Sequence, residues 1–222
     1  MGKFNKLQTL NYIKECKVVP VFYDPDPDVA IEVVSACHKG GIKILEFTNR
    51  GDFAWEVFKK LELFCRKNLP DMILGAGSIS DSTMSDLYIS MGANFIVGPL
   101  TNEEVARSCN RKKIPYMPGC LTPTEISNAE GLGCDVVKVF PADSVGGPSF
   151  IKSILAPMPW SWIMPTGGVD LNPDDLKEWF DAGVFSVGMG SKLFSKEIMN
   201  NKDWAKLEAQ CKKLSETIKR IS

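Results

Sequence analysis

The chain has 222 residues, 24% charged and 44% hydrophobic, the proportions of a globular protein with one substantial core. Its formal net charge of −1 gives no electrostatic case for binding DNA, RNA or an anionic membrane. No apolar run approaches the roughly 20 residues that span a bilayer, and the opening MGKFNKLQTLNYIKE lacks the apolar stretch of a signal peptide, so a cytoplasmic location is expected.

In chain order, residues 4–16 read as a short helix covering one end of the fold. Eight apolar runs bounded by turn residues then predict strands: Val18–Tyr23, Ile44–Thr48, Met72–Gly77, Phe95–Pro99, Ile114–Gly119, Val136–Pro141, Ser161–Gly168 and Ser186–Ser191. They begin at intervals of 19 to 28 residues, enough for one strand, one helix and short loops. Helical spacing follows the first two, through Val29, Val33, Val34 and Cys37, then Trp55, Phe58 and Leu61. Thr101 with Glu104 and Thr122 with Glu125 have capping-box spacing, and Asn172-Pro173 reads as an N-cap with proline at the first helical position. At the end, Trp204, Leu207, Cys211, Leu214 and Ile218 form a stripe that predicts either a helix packed on the core or a subunit contact.

Strands alternating with helices imply parallel pairing and right-handed crossovers, and eight such units can close. The expectation is an α/β fold, a (β/α)8 TIM barrel forming a single domain over residues 1–222, with a short N-terminal helix and a C-terminal helical extension. An open doubly wound sheet would show a G-x-G-x-x-G turn after its first strand. Here that turn is Asp24-Pro25-Asp26-Pro27-Asp28, a stiff loop with an Asp placed to cap a helix rather than a hard-cation site.

In such a barrel the loops after the strands build the active site. Lys138 lies inside the run Val136-Val137-Lys138-Val139-Phe140. A lysine stripped of water sheds its proton more readily and becomes an amine nucleophile that forms an imine with a ketone or aldehyde. Glu46 lies inside Ile44-Leu45-Glu46-Phe47-Thr48. Strand alternation puts Glu46 with Ile44 and Thr48 on one face and Leu45 with Phe47 on the other, so Glu46 and Lys138 can both point to the barrel axis. That pairing fits a nucleophile with a general acid/base; an inert buried ion pair is the alternative.

Arg50, just past the second strand, can grip a carboxylate with two parallel hydrogen bonds. Gly75-Ala76-Gly77-Ser78 ends the third strand, where Ser78 could reach a substrate oxygen. Thr166-Gly167-Gly168 and Gly188-Met189-Gly190-Ser191 put glycines after strands seven and eight, where barrels often hold phosphate; tight turns alone would also explain them. The one histidine, His38, falls at a helix end away from that face, which rules out a histidine-rich metal site. Seven scattered cysteines without a CxxC pair read as buried thiols, not as a disulfide scaffold or zinc site. No metal or other cofactor is expected.

Taken in order, Val18-Val19-Pro20-Val21, Gly41 through Arg50, Gly75-Ala76-Gly77-Ser78, Ile114 through Gly119, Lys138-Val139-Phe140-Pro141-Ala142 and Pro165-Thr166-Gly167-Gly168 resemble the 2-keto-3-deoxy-6-phosphogluconate (KDPG) and 4-hydroxy-2-oxoglutarate (KHG) aldolase family. The likeness runs from about residue 7 to 195. It implies a class I aldolase with Lys138 as the Schiff-base lysine and Glu46 as general acid/base. Arg50 would hold the keto-acid carboxylate with Ser78 nearby, and Thr166, Gly167, Gly168, Gly190 and Ser191 would line the phosphate end. It also implies a small-molecule 2-keto acid or sugar-acid phosphate as partner, and a homotrimer. Three departures stand out: Ser78 where threonine is common, Val97-Gly98-Pro99-Leu100 where many members have Ser-Pro-Gly, and Gly188-Met189-Gly190-Ser191 where others have a tighter Gly-Gly-Ser. The resemblance implies cleavage of KDPG to pyruvate and glyceraldehyde 3-phosphate, or of KHG to pyruvate and glyoxylate. A 6-phosphogalactonate aldolase, a phosphate-binding isomerase or decarboxylase, and a non-catalytic sugar-phosphate sensor are the alternatives.

Overall fold

A computed structural model describes residues 2–221. It is an α/β fold with a parallel, curled sheet. The strands are β1 (Val18–Phe22), β2 (Ile44–Thr48), β3 (Ile73–Gly77), β4 (Ile96–Val97), β5 (Tyr116–Met117), β6 (Gly119–Cys120), β7 (Val137–Val139), β8 (Ile163–Pro165) and β9 (Val187–Met189). The helices are α1 (Lys6–Cys16), α2 (Pro27–Lys39), α3 (Ala54–Asn68), α4 (Ser82–Met91), α5 (Glu103–Lys112), α6 (Pro123–Gly131), α7 (Gly147–Leu155), α8 (Pro173–Asp181), α9 (Lys196–Asn201) and α10 (Trp204–Ile221).

One sheet runs β5-β4-β3-β2-β1-β9 and a second β6-β7-β8, every pair parallel. The expected strand Ile114–Gly119 is divided because Pro118, lying between β5 and β6, has no N–H to give a ladder. The expected Phe95–Pro99 shortens to Ile96–Val97, where Gly98 and Pro99 end the pairing. Between the two sheets Thr166 forms a parallel bridge with Gly188.

The β2 faces divide as alternation requires. Phe47 points outward, its ring 6.3 Å from that of Phe58 on α3, and Phe58 meets Tyr88 of α4 edge-on at 5.0 Å. Each such buried side chain contributes about 1.5–3 kcal/mol of hydrophobic stabilisation. The C-terminal stripe packs within the chain: Leu207, Cys211, Leu214 and Ile218 are buried, α10 lies along α2, and Gly40 meets Cys211 so closely that a Cβ there would come within 2.4 Å of it.

Helix starts follow the side-chain chemistry. Thr122 and Glu125 form a reciprocal capping box, Asn172 accepts from the Asp174 amide, and Asp26 caps α2 with Pro27 at its first turn. Thr101 does not cap α5. Asn102 does, accepting from Val105 N at 3.1 Å, while the Thr101 hydroxyl turns to the Gly119 carbonyl and Cys120 Sγ. Asparagine one residue on is the stronger cap and takes the position. His38 closes α2 beside Asp71, 2.7 Å away; hydrogen bonds from Lys43 and then His38 hold the Asp71 carboxyl down at about 2. Among the described residues no helix is long and apolar enough to cross a membrane.

Candidate active site

β7 carries Lys138 inward between Val137 and Val139, leaving it 7% exposed. β2 carries Glu46 inward, fully buried. The two strands belong to different sheets, yet Lys138 Nζ lies 3.8 Å from Glu46 Oε1. Neither Glu46 oxygen has a hydrogen-bond partner. Burial pushes the Glu46 carboxyl up from its ordinary value near 4.5, and the positive charges of Lys138 and Arg50 pull against that rise. Gly77 makes room for this carboxylate: a Cβ there would sit 1.9 Å from Glu46 Oε1.

Arg50 is exposed at the mouth of β2. Its loop is fixed from three sides. Arg50 N donates to the Thr48 carbonyl and Asn49 N to that of Gly77, both at 2.8 Å, and Asn49 Oδ1 accepts from the Tyr88 hydroxyl at 3.0 Å. Ser78 stands directly after Gly77 with φ of 59°, a left-handed conformation uncommon outside glycine.

A cavity of about 430 Å³ opens among the strand-end loops. Arg50, Phe140, Thr166, Gly167 and Gly168 line it, together with Gly190 and Ser191. Gly167 and Gly168 have φ of 97° and 76°, and a Cβ on Gly168 would lie 2.3 Å from Asp143 Cβ, so only glycine fits this turn. Successive backbone N–H groups in such turns form concavities suited to anions. The Thr166 hydroxyl is buried on Gly188 and has no hydrogen-bond partner.

The structure thus brings together Arg50, Thr166, Gly167, Gly168, Gly190 and Ser191, and separately pairs Lys138 with Glu46. Phe140 joins the groups: its ring lines the cavity and lies 5.2 Å from Lys138 Nζ. Ser78 is not part of the cavity lining. The sequence reading missed Val21, Phe140, Asp143, Val169 and Lys192, which also line it. Position could have flagged Lys192, next to Ser191, and Phe140, two residues past Lys138 on the same strand face. Asp143 comes from a short 3-10 turn (Asp143–Val145) that no local pattern announces.

A family model described as "KDPG and KHG aldolase" matches residues 10–210. A 2-dehydro-3-deoxy-phosphogluconate aldolase of Haemophilus influenzae is 28% identical over 212 residues, covering 96% of this chain and 97% of its own. A 2-dehydro-3-deoxy-6-phosphogalactonate aldolase of Escherichia coli is 35% identical over 123 residues, 55% of this chain and 58% of its own. The structure of a KDPG aldolase from Legionella pneumophila, with pyruvate captured as a covalent carbinolamine intermediate, superposes with a TM-score of 0.83 at 26% identity, covering 93% of this chain and 98% of that one.

Proposed function

The chain belongs to the KDPG and KHG aldolase family, and from that membership we propose that it is a class I aldolase cleaving KDPG to pyruvate and glyceraldehyde 3-phosphate through an imine on Lys138. The observation that carries this reading is the buried Lys138 held 3.8 Å from a buried carboxyl whose oxygens no other group occupies.

In the proposed cycle Arg50 holds the substrate carboxylate, and the amine form of Lys138 attacks the C2 ketone. The ketone oxygen takes a proton and a carbinolamine forms. Glu46, whose proton burial helps to retain, gives it to the departing hydroxyl, which leaves as water as the iminium forms. The Glu46 carboxylate then accepts the C4 hydroxyl proton while the C3–C4 bond breaks, and that electron pair moves into the iminium to give an enamine. The aldehyde departs. Glu46 returns the proton to C3, and water releases pyruvate and regenerates Lys138. No metal or organic cofactor enters this scheme. The Thr166–Gly168 and Gly190–Ser191 loops receive the phosphate.

The same reading takes residues 1–222 as one domain and the two sheets as a single closed eight-stranded (β/α)8 barrel, β5 with β6 counting as one strand and the Thr166–Gly188 bridge closing the circle. It takes the assembly as a homotrimer. The similarity to the E. coli phosphogalactonate enzyme favours one second reading, the C4 stereoisomer as substrate; assay of both stereoisomers separates them. KHG is the shorter candidate.

Borohydride reduction in the presence of pyruvate, followed by peptide mapping, tests the imine. A reduced adduct on Lys138 is expected. A folded protein that binds sugar phosphate but gives no adduct would instead be an isomerase, a decarboxylase or a sensor.

A further inference from the structure

Tyr23, directly after β1, has its ring 5.6 Å from that of Phe47 on the outer face of β2. Phe47 lies 6.3 Å from Phe58, and Phe58 lies 5.0 Å from Tyr88. The four rings form a continuous arc from the end of β1 across β2 and α3 to α4. Phe47, Phe58 and Tyr88 are fully buried, and close-packed rings of this kind resist displacement. Both ends of the arc are tyrosines, and both hydroxyls come to one loop.

That loop is Asn49-Arg50-Gly51. The Tyr88 hydroxyl donates to Asn49 Oδ1 at 3.0 Å. Burial, and then the neighbouring Tyr23, push the Tyr88 hydroxyl well above its ordinary value near 10, so it keeps its proton and remains a donor. On the other side, a Cβ on Gly51 would lie 2.7 Å from the Tyr23 hydroxyl oxygen, and Gly51 has φ of 84°. The chain therefore turns tightly against Tyr23, a turn that glycine adopts without strain. The two contacts fall on the residues immediately before and after Arg50. Arg50 itself is exposed and ends a long flexible stem, so where its guanidinium stands depends on where its backbone is held.

We propose that Tyr23 and Tyr88 are positioning residues for the carboxylate grip: the aromatic arc behind β2 clamps the loop on both sides of Arg50 and fixes where the guanidinium stands at the cavity. Neither tyrosine is part of the cavity lining; each acts through Arg50. The proposal rests on the reading of Arg50 as the holder of the keto-acid carboxylate. A loop fixed before binding spares the ligand the cost of ordering it. Loss of either hydroxyl lets the loop sample other positions and weakens the keto acid, while Lys138 and Glu46 stay where they are.

The test titrates pyruvate in borohydride trapping on the full chain, comparing the parent with Tyr23→Phe, Tyr88→Phe and the double variant. Each single change is expected to raise the half-saturating pyruvate concentration about threefold and the double about tenfold, the range of neutral hydrogen bonds. The plateau of adduct on Lys138 should stay the same, whereas a merely structural role would lower the plateau. On an Arg50→Ala background the same double change should move half-saturation by less than about twofold, because the clamp then has nothing to position. The proposal is overturned if the double variant stays within about twofold of the parent, if the plateau alone falls, or if the full rise persists without Arg50. In each of those cases trapping by the parent leaves the imine chemistry standing. A parent that traps no pyruvate removes the imine and, with it, the clamp that serves it.

Discussion

Lys138 Nζ lies 3.8 Å from Glu46 Oε1, near enough for strong attraction and too far for a well-formed hydrogen bond. The carboxylate therefore keeps its acceptor capacity facing the amine. Replacing Glu46 by Gln preserves shape and removes the proton carrier. We expect kcat to fall by about 10²–10⁴-fold, the usual range for a general acid/base, while pyruvate is still trapped on Lys138 but more slowly, because Glu46 also assists the loss of water. Lys138→Ala should abolish trapping and reduce cleavage to background with the circular dichroism spectrum unchanged. Turnover by Glu46→Gln within a few-fold of the parent would remove Glu46 from the mechanism.

The pH dependence of stability carries the same signature. Burial raises the folded-state Glu46 carboxyl above its ordinary value near 4.5, with Lys138 and Arg50 opposing. Between those two values the folded state binds more protons than the unfolded state. Stability from this group is thus fully present below about pH 4.5 and lost as pH rises through the raised value. Glu62, also raised by burial against Arg66, adds to the same slope. Thermal melts across that window should fall less steeply with pH in Glu46→Gln than in the parent protein. Identical slopes would show that the buried carboxyl does not titrate as described.

Gly77 tests the geometry without touching a charge. A methyl group there would meet Glu46 Oε1 at 1.9 Å, and the carboxylate must swing away. Gly77→Ala should cost about 1–3 kcal/mol of stability, the range for an overpacked core site, and lower kcat at least tenfold in the folded fraction. Full activity in Gly77→Ala would mean that the position of Glu46 is immaterial.

Arg50 offers a planar fork, which lysine cannot reproduce. Arg50→Lys should raise the KM for the keto acid about tenfold or more, in line with the roughly 1.5–3 kcal/mol of a charged hydrogen bond, with a smaller change in kcat. Tyr88→Phe removes the hydroxyl that holds Asn49 beside it and should shift KM in the same direction by less. An effect of Arg50→Lys confined to kcat would place the guanidinium elsewhere in the cycle.

Much of this is legible in the sequence, because it is local. A charge inside an apolar run is conspicuous, so Lys138 and Glu46 stood out, and alternation along β2 was enough to separate Glu46 from Phe47. Caps at Thr122 and Asn172 were legible for the same reason; Thr101 misled because two capping residues compete in adjacent positions and only backbone geometry selects Asn102. The strand limits near Pro99 and Pro118 drifted because apolar character outruns the supply of N–H donors. What only the tertiary structure decided is which distant segments meet. It set Lys138 beside Glu46 across two sheets, laid the α10 stripe on α2, left Ser78 outside the cavity lining, and brought Lys192, Asp143 and the Gly167–Gly168 turn around one cavity. Periods of 2 and 3.6 residues report which face of a strand or helix is apolar; they carry no information about where a loop points, which is set by packing between residues far apart in the chain.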